Sequence, residues 1–114
     1  MKIIIKKTLD VTPPLEQYID EKLLPLGKFL KHFEEKGEAE LRLEVARTTK
    51  HHQKGEDLFQ AVINLKISGA TLRSEANAED IRTAIDGARN IMHMEIEKYR
   101  EKHLGSPKHI KKEK

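Results

Sequence analysis

Two stretches of the chain carry apolar residues at the spacing of an amphipathic helix. In the first stretch, Thr12 suits the N-cap and Pro13 suits the first helical position. Pro25 interrupts this stretch, so we expect a kink or an early end there. The second helix is predicted from residue 78 to about residue 102, with Asn77 as its cap. The two apolar stripes are Leu15, Ile19, Leu23 and Leu26, and Ile81, Ile85, Ala88, Met92, Ile96 and Tyr99.

Alternation of apolar and polar side chains predicts strands in other parts of the chain. From residue 38 onward the apolar positions recur every second residue, and the same alternation returns from residue 59. A polar stretch, Thr48 to Glu56, joins these two long strands, and Gly69 marks a tight turn into a shorter one. The four predicted strands are Lys2 to Lys7, Ala39 to Val45, Phe59 to Ile67 and Thr71 to Ala76.

The elements follow in the order β-α-β-β-β-α, which predicts an α+β fold. A half-buried four-stranded sheet and two amphipathic helices fit together when both helices pack on one face of the sheet and the other face meets water. A chain of 114 residues is long enough for one core and too short for two. We therefore expect one domain, residues 1 to 104, followed by a basic, disordered tail, residues 105 to 114.

The composition narrows the class of protein. The sequence has no cysteine, which excludes disulfides, thiol nucleophiles and cysteine-based zinc sites. The apolar run at the start, Ile3 to Ile5, is far shorter than a signal peptide or a membrane span requires. We expect a soluble, cytoplasmic protein with no membrane partner.

The net charge of +3 is carried by the end of the chain. Four lysines and one glutamate follow Pro107, so residues 1 to 107 are formally neutral. Local clusters of charge, and not overall basicity, therefore decide whether the protein attracts a polyanion. Residues 34 to 44 form an acidic cluster and Arg47 to Lys54 a basic one, and either can be an ordinary solvated surface.

The residue patterns that catalysis requires are missing from the sequence. The six glycines are scattered and form no phosphate-binding loop. His51 and His52 are adjacent and would point in opposite directions on a strand, and His93 lacks a second histidine at helical metal-ligand spacing. No serine lies in a nucleophile motif. We predict a protein that is not an enzyme, with no cofactor, no metal site and no small-molecule substrate.

The predicted second helix carries its arginines along one edge, beside its apolar stripe. Arginines one or two turns apart on a rigid helix can meet successive phosphates. Asp86 and Glu97 lie close to this edge, so ion pairing within the protein is the alternative interpretation. Lys98 and Lys102 fall on the opposite flank of the helix. The edge consists of Arg82, Arg89, His93 and Arg100.

The open face of the predicted sheet tests a different mode of RNA binding. RNA-recognition motifs stack bases on aromatic side chains of the central strands, whereas here the outward positions are polar. Any contact with RNA should therefore come from helices and loops, through phosphates and shape, as in a double-stranded RNA-binding domain. The outward positions are Arg42, Glu44, Gln60, Asn64 and Lys66.

Segments along almost the whole chain carry a resemblance to a known family. They begin with Ile3 to Ile5 and Asp10 to Thr12, and they continue through Leu15 to Leu23, with Leu26 and Lys28 in register. The most specific segments are Ser68 to Arg73, followed by Glu79 to Ile81 and Thr83 to Asp86. In these segments the chain resembles the ribosome hibernation promoting factor family, which includes ribosome-associated inhibitor A.

The resemblance implies the same fold and a binding site on the small ribosomal subunit and its ribosomal RNA. The implied site is the decoding channel, where messenger and transfer RNA lie, and its occupation inhibits translation under stress. The chain is similar to the short members of the family, which lack the C-terminal domain that pairs ribosomes. Lys22, Lys28, Lys98 and Lys102 carry over from the family as phosphate contacts, and Arg82, Arg89 and Arg100 are added from the helical projection.

Three positions of the second helix depart from the family pattern, and one of them is Ile91, where the family usually has a lysine. Arg82 stands where the family usually has an aromatic residue, and Arg89 where it usually has an apolar one. The alternative interpretation is a protein-interaction or double-stranded-RNA-binding regulatory module that does not act on ribosomes. Weak self-association also remains open, as does the choice between silencing single ribosomes and promoting their pairing.

Overall fold

The computed structural model of the chain describes residues 2–7, 10–30, 39–50, 56–67 and 70–104. Two α-helices and a sheet account for most of these residues, which confirms the α+β class. A 3-10 helix, Leu24–Leu30, directly follows the first α-helix. The strands are β1 (Lys2–Lys7), β2 (Ala39–Lys50), β3 (Glu56–Ile67) and β4 (Ala70–Ala78), and the α-helices are α1 (Pro13–Leu23) and α2 (Ile81–Leu104).

The strands lie in the sheet in the order β1-β2-β3-β4. β1 runs parallel to β2, whereas β2, β3 and β4 are antiparallel to their neighbours. Ile63 of β3 marks the register, because it lies opposite Leu43 of β2 and Ser74 of β4. A parallel pair needs a long crossover connection, and α1 with the 3-10 helix lies in the connection between β1 and β2.

One face of the sheet and the apolar stripes of the helices form a single aliphatic core. Every second residue is buried there from Leu41 to Val45 in β2 and from Ala61 to Ile67 in β3, as the alternation in the sequence predicts. Ser74 is the one buried polar residue among those described, and its hydroxyl donates a hydrogen bond of 2.8 Å to the Ala88 carbonyl of α2. The largest fully buried side chains are Ile19, Leu23, Leu26, Leu30, Leu41, Leu43, Ile63, Leu65, Ile67, Ile85, Met92 and Ile96.

The first helix begins and ends as the sequence predicts. The Thr12 hydroxyl accepts a hydrogen bond of 3.4 Å from the backbone N–H of Leu15, and prolines occupy the first helical positions. The α-helical part ends at Leu23, and the chain continues through Pro25 as a 3-10 helix. The predicted early end at Pro25 is therefore confirmed, and Leu26 still reaches the core.

The predicted start of the second helix is wrong. Asn77 lies within β4, opposite Gln60, because the pairing of β4 with β3 continues as far as Ala78. The helix begins at Ile81, and Asp80 caps it by accepting hydrogen bonds from the backbone N–H and the hydroxyl of Thr83. These bonds favour the ionised carboxylate and lower the pKa of Asp80.

The two long strands extend further than their side-chain alternation indicates. Lys50 pairs with Glu56, so the predicted connection from Thr48 to Glu56 is too long, and residues 51–55 alone separate the strands. Backbone pairing continued through polar residues, where alternation gives no signal. The predicted turn at Gly69 and the tail at residues 105 to 114 lie outside the described residues. None of the helices in the described ranges is long and apolar enough to cross a bilayer.

Candidate nucleic-acid interface

The two α-helices meet on the covered face of the sheet, and a tyrosine and an aspartate connect them. The Tyr18 hydroxyl of α1 lies 2.7 Å and 2.9 Å from the two carboxylate oxygens of Asp86 in α2. Hydrogen bonds to an ionised acceptor are among the stronger side-chain contacts in proteins. This pair therefore ties α1 to α2 at a fixed position along each helix.

Two cations surround the same tyrosine ring. The Lys22 Nζ lies 5.4 Å and the Arg82 guanidinium carbon 4.9 Å from the centroid of the Tyr18 ring. Both distances are typical of cation–π contacts. We call the four residues Tyr18, Lys22, Arg82 and Asp86 the helix seam. The fold thus brings together two cations that the sequence proposed separately, one from each helix.

The helix seam changes the acidity of the tyrosine. Burial raises the pKa of Tyr18 to about 12, and the hydrogen bond to Asp86 and the charge of that carboxylate act in the same direction. The nearby Arg82 guanidinium opposes this effect but does not overcome it. Tyr18 therefore stays a neutral hydrogen-bond donor throughout the physiological range.

A second aromatic contact joins the 3-10 helix to α2. The rings of Phe29 and His93 stack with centroids 4.4 Å apart and planes inclined at 29°. Lys28 precedes Phe29 in the same 3-10 helix. Lys28 is exposed, and the described residues offer it no acidic partner.

The arginines further along the edge of α2 pair locally. The Arg89 guanidinium donates a hydrogen bond of 3.0 Å to the Asn90 side chain. Arg100 donates to Glu97 at 3.2 Å and 3.3 Å, and the same carboxylate lies 3.5 Å from the Nε2 of His93. The alternative interpretation, pairing with neighbouring acids, therefore holds for Arg100.

The remaining two predicted cations lie on the other flank of α2. Lys98 is 73% exposed at its side chain, and its Nζ lies 3.6 Å from the Glu95 carboxylate. Lys102 is exposed one turn further on. On an α-helix, Lys98 lies about 160° around the axis from Arg82. The structure therefore divides the predicted site into two groups and does not unite all seven cations.

The ion pairs on these helices are weak barriers to an incoming anion. The pairs of Lys22 with Asp86 and of Lys98 with Glu95 measure 3.8 Å and 3.6 Å between partly exposed groups. Exposed pairs contribute about 0–1 kcal/mol because water solvates both charges. A phosphate group that approaches these cations can replace such partners at little cost.

The open face of the sheet is polar, as the sequence predicts. A cleft of about 300 Å³ lies on it, with a mixed lining of acidic, basic and amide side chains. Three of its charged side chains form ion pairs. Glu44 lies 3.8 Å from Lys6, and Arg42 lies 3.6 Å from Glu40. The described positions on this face present no aromatic ring for base stacking. The cleft is lined by Glu40, Arg42, Glu44, Asn64, Lys66 and Thr71.

The contact between Tyr18 and Asp86 was not predicted from the sequence. Tyr18 lies next to an apolar stripe residue, and Asp86 was one of many carboxylates expected to be solvated or paired. The sequence shows that Arg82 and Asp86 are four residues apart. It does not show that both contact Tyr18, which is 68 residues from Asp86. Among the described residues, no cluster of three or more acidic or histidine side chains has the arrangement of a metal site.

A sheet with one polar face and two helices that carry both cations and acids on their exposed sides define a small α+β domain. The chain belongs to the family described as sigma 54 modulation protein / S30EA ribosomal protein, which matches residues 3–104. This match confirms the family that the sequence segments indicated. The description names a modulation protein and a ribosomal protein and no enzyme, in agreement with the predicted lack of catalysis.

A curated relative carries a more specific name. The ribosome hibernation promotion factor of Deinococcus radiodurans is 21% identical over 98 residues. The aligned region covers 86% of this chain and 48% of that protein. The chain therefore spans about half the length of this relative.

Two solved structures share the fold. A ribosomal subunit interface protein from Coxiella burnetii matches with a TM-score of 0.68 at 16% identity, over 88% of this chain and 98% of that one. The N-terminal domain of Protein Y from Thermus thermophilus matches with a TM-score of 0.60 at 22% identity, over 87% and 96%. At these identities the likeness supports the same chain topology.

Proposed function

We propose that the protein is a cytoplasmic ribosome-binding factor that occupies the decoding channel of the small subunit and inhibits translation there. Its direct partner is ribosomal RNA, which it contacts through the cationic side chains of its helices. The family match over residues 3–104 is the observation that carries the proposal. The names of the relatives, a hibernation promotion factor and a subunit interface protein, support it.

The arrangement of the helices supports a role for phosphate contacts. Lys22 and Arg82 come from different helices and lie around one ring, so together they present two positive charges to a single stretch of RNA backbone. Lys28 is exposed on the 3-10 helix, and Lys98 and Lys102 are exposed on the other flank of α2. Arg89 and Arg100 complete the proposed set with charges that have local partners.

The proposed mechanism is steric. A domain held in the channel by its helices excludes messenger and transfer RNA from the same space, and no bond is made or broken. Each phosphate that the protein neutralises releases counterions, so the affinity falls steeply as the salt concentration rises. Electrostatics then supplies most of the affinity, and the shape of the domain supplies the inhibition.

Charge reversal at two proposed contacts tests this function. We expect Lys28→Glu combined with Lys98→Glu to weaken co-sedimentation with purified small subunits. Each lost phosphate contact removes about 0.9 from the slope of log affinity against log salt, so the slope should become shallower by about 2. The measurement is the bound fraction across a series of salt concentrations.

The matched control reverses two charges on the open face of the sheet. Lys66→Glu combined with Arg73→Glu makes the same change in net charge on exposed residues of β3 and β4. We expect this control to bind with nearly the slope of the wild-type protein. Equal weakening by both double variants would contradict the proposed contacts, and tighter binding to a plain RNA duplex than to small subunits would favour the double-stranded-RNA module instead.

A further inference from the structure

We infer that Tyr18 and Asp86 are positioning residues that hold Lys22 and Arg82 together as one phosphate-binding site at the helix seam. This inference rests on the proposed function and deepens it. It assigns a role in binding to a neutral and an acidic side chain, which would not be chosen as contacts to RNA.

The Asp86 carboxylate is satisfied mainly by a neutral donor. Its two oxygens lie 2.7 Å and 2.9 Å from the Tyr18 hydroxyl, whereas the Lys22 Nζ is 3.8 Å away. A hydroxyl has one proton, so the first two distances describe one hydrogen bond shared between the two oxygens, and the third is a loose ion pair. Asp86 keeps its negative charge, but its hydrogen bond goes to the hydroxyl, so the Lys22 ammonium group keeps its own donors for another anion.

The Tyr18 ring holds the two cations near each other. Lys22 and Arg82 both carry positive charge and repel one another, so a surface that keeps both within 5.4 Å of one point must offset that repulsion. The electron-rich faces of an aromatic ring attract cations, and the nearby carboxylate adds to this attraction. Unlike a second acid, the ring does so without neutralising either charge.

Each helix contributes one positioning residue and one cation. Tyr18 and Lys22 are one turn apart on α1, and Arg82 and Asp86 are one turn apart on α2. Residues four apart lie next to each other on a helix surface, so the bond between Tyr18 and Asp86 also fixes the spacing between the two cations. A phosphate at the helix seam therefore meets both cations without a prior rearrangement, which reduces the entropic cost of binding.

Two substitutions disrupt the pair in different ways. Tyr18→Phe keeps the ring and removes the hydroxyl, so that the carboxylate is free to pair with the cations. Asp86→Asn removes the charged acceptor and increases the net charge by one. We expect both variants to lose on the order of three- to tenfold in affinity for small subunits, with a slope shallower by about 1, as for the loss of one phosphate contact.

Tyr99→Phe is the matched control for Tyr18→Phe, because it also removes one tyrosine hydroxyl. Asp20→Asn is the matched control for Asp86→Asn. Asp20 is exposed on α1, so its substitution makes the same change in net charge as Asp86→Asn, away from the helix seam. General electrostatics predicts slightly tighter binding for any variant that loses a negative charge. A positioning role predicts the opposite sign for Asp86→Asn alone, and thermal unfolding of each variant reports whether the fold is intact.

The outcomes separate this inference from the proposed function. Weaker binding and a shallower slope for Tyr18→Phe and Asp86→Asn, with both controls at or above the wild-type affinity, supports the positioning role. Wild-type affinity in both variants, or an Asp86→Asn variant that gains affinity as Asp20→Asn does, overturns the inference alone. A wild-type protein that does not bind small subunits overturns the proposed function and the inference with it.

Discussion

Tyr18 contacts two cations and one carboxylate, and their combined effect is measurable as the pKa of the tyrosine. Its ring contacts two cations, and its hydroxyl donates to a carboxylate. Burial and the Asp86 carboxylate both disfavour a phenolate at this position, which is why its pKa is raised to about 12 from a usual value near 10. Burial contributes most to this shift, and the part that comes from Asp86 reports on whether the bond between α1 and α2 is formed.

The alkaline titration of Tyr18 tests that bond. The chain has two tyrosines and no tryptophan, so Tyr99→Phe leaves Tyr18 as the only phenol. We expect the phenolate absorbance of this variant to rise with a midpoint near pH 12, and adding Asp86→Asn should lower the midpoint. A midpoint near 10 before that addition would show that the hydroxyl is not engaged by the acid.

The same shift predicts the sign of a stability change. The pKa of Tyr18 is higher in the folded chain than in the unfolded chain, so the folded state holds the proton more tightly. The resulting contribution to the free energy of unfolding is complete below about pH 10 and is lost as the pH rises to about 12. The Tyr18→Phe variant should not show this fall in the free energy of unfolding between about pH 10 and pH 12.

At the level of elements, α2 packs unusually closely on β4 at one glycine. A Cβ atom placed on Gly87 would lie 3.0 Å from the Cβ of Ala76 in β4. That distance is shorter than ordinary contacts between carbon atoms, so a larger residue would push the helix away from the sheet. Gly87 therefore helps set the distance between the sheet and α2, and with it the position of the cations on that helix.

Gly87→Val tests this close approach. Valine is a better helix residue than glycine, so helix propensity alone predicts a small gain in stability. We expect instead a loss of about 1–3 kcal/mol in the free energy of unfolding, because overpacking at a helix-sheet contact costs that much. Chemical denaturation measures it, and adding Ala76→Gly should recover part of the loss. A variant as stable as the wild type would mean that α2 has room to move.

The order of the elements was predictable because it depends on local periodicity. Leu15, Ile19 and Leu23 repeat at helical spacing and are buried, and Pro25 marks the change of helix type. The cap of α2 was not predictable in the same way. Asn77 is as good a cap as Asp80 by residue type, and the extent of β4, set by pairing with a distant strand, decides between them.

The candidate site was only partly predictable, for a related reason. Helical spacing places Arg82 on one edge of α2, and resemblance to a family assigns Lys22 on α1. Their common contact with Tyr18 depends on how two helices meet, and no local pattern contains that information. The pairing of Arg100 with Glu97 was an open alternative, and the side-chain geometry of α2 decides it.

For the whole molecule, the placement of charge matters more than its sum. Residues 1 to 107 are formally neutral, yet the helices present cations on two flanks of α2. The helix seam lies on one flank, and Lys98 lies about 160° away around the axis. The convex surface of an RNA duplex meets one flank at a time, whereas a channel lined with RNA meets both. Contacts on both flanks are what the proposed binding in a channel requires.

Competition on the small subunit tests the central claim most directly. Small subunits are loaded with a short messenger RNA and transfer RNA, and the binding of labelled protein is measured as their concentrations rise. Occupation of the decoding channel predicts mutual exclusion, with the protein released as the channel fills and transfer RNA displaced when the protein is in excess. Small subunits that carry the protein, messenger RNA and transfer RNA together at saturating concentrations would contradict it.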